Sequence, residues 1–440
     1  MTITYQTVSA HTAAGQLLAH WFPILPDQVA SIRDQMAERY PGAVITVAPC
    51  RYTAPTVPVP TELGERDELA NVQRMCASDK IGKFDLTDRQ AAAVLDEWHQ
   101  ATKGFKVLHG FPGMLGVSAY RWVRAKAGAE ARGIEGATAL DDPLVVAFSN
   151  DLHRHPDYVD PKRKPRRGQY LIEVDVNGHY HASAGIELGH GTPTLIHRPR
   201  DIDGYLKDPG YIRLAGDLVT KHPAWQGVRR GRVLATTTAK WLLKNGFELP
   251  AAEEVLIWTE HRRHLDTWYT LFRDARIVLI QRKLSGNRAA GVALDMLKAT
   301  VTTTLGGWLR SEEKNHSELV RRDWSDQIMA EAWVRQMVAM TRAESHGVWP
   351  IGIRRDAAWF TTDDPAWRPP GIELADNPTL PADRYLQLGK WKVTAVVPVT
   401  AQIIAAHRGG PERLLHAKLG AQRAQDTTPA APADPGSGSP

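Results

Sequence analysis

Cysteine is almost absent: Cys50 and Cys76 are the only two in 440 residues. They are too few for a disulfide framework or a four-thiolate zinc site, and their spacing fits no metal motif. Long apolar runs are missing too. No window reaches the ~18 uninterrupted apolar residues of a membrane span, and the N-terminus lacks the basic start and continuous apolar core of a signal peptide. These absences point to a protein of the reducing cytoplasm with no membrane partner. No Gly-x-x-x-x-Gly-Lys-Ser/Thr loop occurs, which argues against a helicase or ATPase engine, and the Gly-x-Gly-x-x-Gly of dinucleotide-binding folds is also lacking.

A modest basic excess is present, with 54 Lys and Arg against 49 Asp and Glu, a formal charge of +5. That balance suits a polyanionic partner without requiring one. A chain of this length divides ordinarily into two or three domains. The proline-rich stretch Thr53–Pro60 reads as an extended connector, leaving residues 1–80 as an N-terminal appendage. Thr87 and Gln90 form a capping-box pattern, and helical periodicity runs on to Trp98 and recurs in Val117–Ala127. This pair would pass for a helix-turn-helix, or for two ordinary helices of an α/β protein. Residues 425–440 have little apolar surface to bury and are expected to be disordered.

A basic, proline-containing run, Asp160–Gly168, leads into the apolar stretch Gln169–Asp175. It is either a solvated loop before a strand or a contact to a phosphate backbone. Tyr170–Ala184 is a β-type run that ends at Asp175, followed by an Asn-Gly turn, Tyr180 and a small-residue helix. Val292–Trp308 carries Lys298 on a helix with Gly306 two turns later. Trp349–Thr362 reads as strand, turn and strand with Asp356 at the turn. The helical run Trp324–Ala343 precedes that hairpin, and Leu388–Lys392 opens another strand.

In this order the three blocks resemble motifs A, B and C of the family B DNA polymerases, over about residues 100–400. The resemblance implies an α/β (α+β) protein: a family B polymerase-like palm with an antiparallel sheet, short helical fingers and a small thumb. Its parts would be a helical region at 81–168 leading into the palm, palm at 169–255 and 311–400, fingers at 256–310 and a thumb remnant at 401–424. Asp175 and Asp356 would hold catalytic metal, together with Val176, as two Mg2+ ions for which Mn2+ can substitute. Two metals a few ångströms apart require carboxylates on adjacent strands. Tyr180 would be the steric gate under the sugar, the amides of Val176–His179 would face the triphosphate, and Lys298 and Gly306 would fill the nucleotide-binding positions of motif B.

Ile257–Lys283 looks like the first fingers helix and tip of the compact, protein-primed members, where a second basic residue reaches the triphosphate; Lys283 or Arg288 is the candidate. Lys390 and Lys392 resemble the lysine-aromatic motif at the primer terminus. The pattern departs in two places: Thr302, Thr303 and Leu305 replace the usual Asn, Ser and Tyr of motif B, and Arg354 and Ala357 replace the first aspartate and the serine of motif C. Residues 1–135 are too few for a 3′–5′ exonuclease domain.

The resemblance comes nearest to the polymerase-like region of actinobacterial telomere-associated proteins, through Glu187-Leu-Gly-His-Gly-Thr-Pro193. It implies a protein of a linear replicon or mobile element, with DNA (primer-template or single strand), deoxynucleoside triphosphates and a terminal protein as partners. Two readings stay open: a polymerase, or an inactive polymerase fold that binds single-stranded or telomeric DNA.

Overall fold

The computed structural model describes residues 6–11, 17–24, 29–30, 33–34, 37, 41–49, 65–82, 84–126, 142–154, 157–310, 320–374 and 388–427. The connector at 53–60 and residues 428–440 lie outside them. The chain forms two compact units, 1–63 and 64–440. In the first, β1 (Gln6–His11) pairs antiparallel with both β2 (Leu17–Ile24) and β3 (Val44–Pro49).

The second unit opens with three helices: α1 (Glu65–Cys76), α2 (Asp88–Ala101) and α3 (Pro112–Lys126). The Thr87–Gln90 capping box starts α2 as expected, since both orphan amides find side-chain acceptors. In α3 every residue from Pro112 to Tyr120 is buried. Its last turns are more open, with Arg121 and Arg124 half-buried and Lys126 exposed.

After α4 (Pro143–Asp151) come β4 (Tyr158–Val159) and β5 (Tyr170–Val176), which ends in the single turn α5 (His179–Ala182) instead of a longer helix. Short strands follow: β6 (Leu188–His190), β7 (Thr194–His197), β8 (Gly210–Leu214) and β9 (Val233–Ala235). Then come α6 (Thr236–Lys244), β10 (Ala252–Ile257) and β11 (Glu260–Arg262). The segment read as one fingers helix from Ile257 therefore begins as strand. Glu260–Arg262 pairs with Leu188–His190, and the helix α7 starts only at Asp266, running to Leu284.

Helix α8 (Arg288–Thr303) packs antiparallel to α7 and passes into a π turn at Thr304–Trp308. Gly113 and Gly116 of α3 let that turn approach, because a Cβ at either would overlap Trp308 or Thr304. Helix α9 (Arg322–Ser345) leads to the hairpin β12 (Gly352–Arg354) and β13 (Ala357–Thr362), and β14 (Trp391–Pro398) precedes α10 (Ala401–His407) and α11 (Pro411–Thr427). Helix α11 thus extends three residues into the stretch expected to be disordered.

The architecture is α+β with antiparallel sheets. The largest has the order β14-β5-β13-β12-β4. Central β5 is covered on both faces: Ile172, Val174 and Val176 pack with α9, α6 and β8–β10, while Leu171 packs with Trp359, Ile403 and Leu414 beneath α10 and α11. Alternation puts Glu173 and Asp175 on the second face. Helices α1, α2, α3, α7 and α8 share a separate core around Trp98, Trp268 and Phe272. No helix among the described residues is long and apolar enough to cross a membrane.

Glu173 is 7% exposed and accepts hydrogen bonds from Trp359 Nε1 (2.6 Å), Thr394 Oγ1 (2.8 Å) and Lys418 Nζ (3.0 Å), the last anchoring α11 to the sheet. Lys418→Met leaves this buried carboxylate without its counter-charge. Urea denaturation is expected to show a loss of roughly 3 kcal/mol or more, and the double variant with Glu173→Gln should recover most of it; equal loss in both would exclude the charge as the cause.

Candidate active site

Asp175 closes β5, and the register sets Ala357 of β13 opposite it on one side and Lys392 of β14 on the other. The amide of Val176 donates to the Asp356 carbonyl at 3.2 Å, so the turn carrying Asp356 is tied directly beside Asp175. The two aspartates, remote in sequence, come together on adjacent strands. The turn itself is held by Arg355 in the left-handed region (φ +52°), whose amide donates to Asp157 Oδ1 at 2.8 Å. Arg354, which stands where the family motif has its first aspartate, is turned to Glu412 of α11 in a two-point ion pair (2.6 and 3.1 Å).

Burial pushes the Asp175 carboxyl up to about 7, and the negative charge of Asp356 adds to the effect; Lys392 opposes it and Glu173 reinforces it. The Lys392 ammonium lies 3.4 Å from Asp175 Oδ2. Asp175 Oδ1 is buried and has no hydrogen-bond partner. A buried, unpartnered carboxylate oxygen next to a second carboxylate is a site short of positive charge. That donor set fits a divalent cation bound through hard oxygen ligands. Among the described residues no group of three or more His, Cys, Asp or Glu could hold a metal, so two carboxylates are what the side chains offer.

The turn after Asp175 is built from backbone. Asn177 donates to the Lys390 carbonyl and accepts from the Gly389 amide, both at 2.8 Å. Gly178 has φ +61°, and a Cβ there would come 2.4 Å from Leu388. Arg276, 6% exposed on α7, donates to Asn177 Oδ1, and its Nε has no partner. Burial lowers its guanidinium to about 10 against the pull of Asp175 and Asp295. Sequence reading passed over Arg276; its one available signal was its position two turns before Lys283 on the same helix face.

Lys298 of α8 joins this group. Its ammonium pairs with Asp295 at 3.2 Å, and burial lowers its proton affinity, with Arg276 and Lys283 as neighbouring positive charges. Arg276, Lys283 and Lys298 thus form one basic column between α7 and α8. Arg288 begins α8, ten residues before Lys298 and about 15 Å away along the axis. Gly306 sits in the π turn beyond α8, with open space around its α-carbon.

Tyr180 stacks on His179 with ring centroids 5.2 Å apart, and burial with the nearby charge of Asp356 raises its hydroxyl to about 12. His179 donates from Nε2 to the Ala332 carbonyl at 2.6 Å, fixing α5 against α9. Lys390 is engaged by Glu373 at 2.6 Å.

The raised Asp175 carboxyl has a signed consequence. Its folded-state pKa of about 7 lies above the ordinary ~4, so between those values the folded protein keeps a proton that the unfolded chain releases, and stability falls as pH rises through this window. Thermal unfolding in a chelator should show that decline, and Asp175→Asn should flatten it and raise Tm at pH 8 by several degrees. Mg2+ should raise Tm of the wild type at pH 8 and leave the variant unmoved; parallel pH profiles would remove the aspartate from this role.

No protein-family model matches the chain, and no curated protein matches it. Among solved structures it is similar to phi29 DNA polymerase complexed with primer-template DNA, at 13% identity and a TM-score of 0.46, over 81% of this chain and 66% of that one. The same polymerase with primer-template DNA and incoming nucleotide substrates gives 11% identity and 0.47, over 89% and 70%; with single-stranded DNA it gives 14% and 0.45, over 81% and 66%. The chain spans about two thirds of the length of these polymerase chains.

Proposed function

We propose that this chain is a template-directed DNA polymerase that works by a two-metal mechanism. The observation that carries the reading is the placing of Asp356, in the turn before β13, beside Asp175 at the end of β5 through the Val176 amide, with one buried Asp175 oxygen left unpartnered. Asp175 and Asp356, with Val176 beside them, would hold Mg2+ or Mn2+. When bound, the ions would activate the primer 3′-hydroxyl and neutralise the leaving pyrophosphate.

The protein's own groups supply position and charge. Arg276, Lys298 and Lys283 place fixed positive charge on the fingers side of Asp175, where a triphosphate would sit, in a site already partly desolvated. The unusual turn at Asn177–Gly178, held by Arg276 and by β14, keeps its amides in place for the same group. Tyr180 lies beside Asp356 as a gate under the sugar would. Lys392, whose ammonium lies beside Asp175, would be the group placed to meet a primer phosphate, with Lys390 next to it.

DNA, nucleotides, a terminal protein and a linear or mobile replicon belong to this proposal. A second reading, an inactive polymerase fold that binds DNA, is favoured by one feature: Arg354 replaces an acid and is pinned to Glu412.

Primer extension with Mg2+ or Mn2+ on a short primed template separates the two. Wild type should extend, and Asp175→Ala and Asp356→Ala should each lose about a thousandfold in rate, about 4 kcal/mol of barrier, at unchanged DNA affinity. No extension by any of the three, with binding intact, would leave only the scaffold.

A further inference from the structure

The segment Glu187–Pro193 takes no part in the carboxylate site. Its strand β6 pairs with β11, and Gly189 is locked beneath Trp258, where a Cβ would approach to 2.5 Å. The Gly189 carbonyl accepts from both Trp324 Nε1 and Arg321 Nη2, each at 2.8 Å. Around this point four planar groups are stacked in a column. His190 lies on His264 (5.2 Å, 29°), His264 lies on Trp324 (4.5 Å, 19°), and the Arg321 guanidinium is 4.3 Å from the Trp324 ring.

Two features of the column are costly for a purely structural element. Its polar edge is unsatisfied: His190 Nδ1, His264 Nε2 and Arg321 Nη1 are buried and have no hydrogen-bond partner. Each such group has given up water for no partner in the fold. Arg321 is itself only 2% exposed, with its other nitrogens on Asp323 and Gly189. The surroundings are also too positive. Arg124, Arg262 and Arg321 all bear on His264, and burial with their charges holds its imidazole neutral. Asp323 neutralises Arg321, but neither Arg124 nor Arg262 has an acidic ion-pair partner among the described residues; Arg124 donates to the Tyr120 hydroxyl instead. Glu260, exposed and opposite His190 in the register, is the one acid bearing on His190.

We propose that this column is a binding site for single-stranded nucleic acid, in which an unpaired base stacks on half-exposed His190 and its phosphate is held by Arg262 and Arg124. Arg262 is exposed, and Arg124, His190 and His264 are half-exposed, so the rim is open to a ligand while Arg321 and Trp324 form a rigid floor. A stacking face beside unneutralised arginines is the chemistry that holds single strands without reading sequence. A duplex keeps its bases stacked inside and offers the platform nothing. The inference deepens the proposed function by naming where a strand is gripped, and it rests on a nucleic-acid partner but not on catalysis.

The test is fluorescence anisotropy of a labelled oligothymidine with the full chain, folding of each variant being checked by circular dichroism. Arg124→Ala/Arg262→Ala should bind about tenfold or more weakly, and its salt dependence should be shallower by about one unit in the log–log slope. His190→Ala should weaken the oligothymidine severalfold and leave an abasic oligonucleotide unaffected. Unlabelled oligothymidine should displace the probe where equal concentrations of duplex or inorganic phosphate do not. Unchanged affinity and slope in the double arginine variant would overturn the site; equal displacement by duplex or by phosphate would overturn its assignment to a single strand. Absence of primer extension by the wild type, with this binding pattern intact, would sink the polymerase and keep the site.

Discussion

Strand β5 carries two carboxylates on one face, two residues apart, one buried and one half-buried, and treats them in opposite ways. Glu173 is given a tryptophan N–H, a threonine hydroxyl and a lysine, so its charge is satisfied within the fold. Asp175 is given a neighbouring aspartate, a single lysine at 3.4 Å and an oxygen facing nothing. The first arrangement stabilises the sheet and pins α11 to it. The second stores electrostatic stress at the strand's end, and a cation is the group that would relieve it. Burial of β5 on both faces is what makes each carboxylate matter, since in water neither would need a partner.

Positive charge elsewhere in this unit is placed to answer that stress without cancelling it. Arg276 reaches the Asn177 turn from α7 and Lys298 stands behind it on α8, yet each is shared with another acceptor, Asn177 or Asp295. Shared cations of this kind contribute positive field beside the carboxylates without pairing with them directly. Helix α11 acts at a distance by fixing the two strands: Lys418 binds β5 two residues before Asp175, and Glu412 binds β12 two residues before Asp356. Arg354 thereby ties β12 to α11 beside the turn that carries Asp356.

The Arg321 column obeys different physics. Its planar groups stack by dispersion and cation–π attraction, and its unsatisfied nitrogens persist because Gly189, Trp258 and Asp323 fix the rings in place. Both regions leave buried polar atoms unpaired, one negative in character and one positive, and the packed helices and strands around them supply the stability that such strain requires.

Local structure was legible in the amino-acid sequence wherever it depends on neighbouring residues. The Thr87–Gln90 box, the β-type run that ends at Asp175, the hairpin around Asp356 and the helical spacing of 324–343 each report short-range sterics and hydrogen bonding, and each stands where it was read. Glu260–Arg262 was misread because three polar residues carry no strand signal; their partner β6 supplies the hydrogen bonds. Long-range placement was decided by tertiary structure alone. The register of β5 against β13 sets Asp175 beside Asp356, the α7–α8 pairing brings Arg276 and Lys283 toward Lys298, and the fold gathers Arg124, His190, Arg262, His264 and Arg321 from separate segments. The physical reason is that propensity and capping act over a few residues, whereas register and helix pairing follow from which apolar faces fit together, a choice made by the whole core at once.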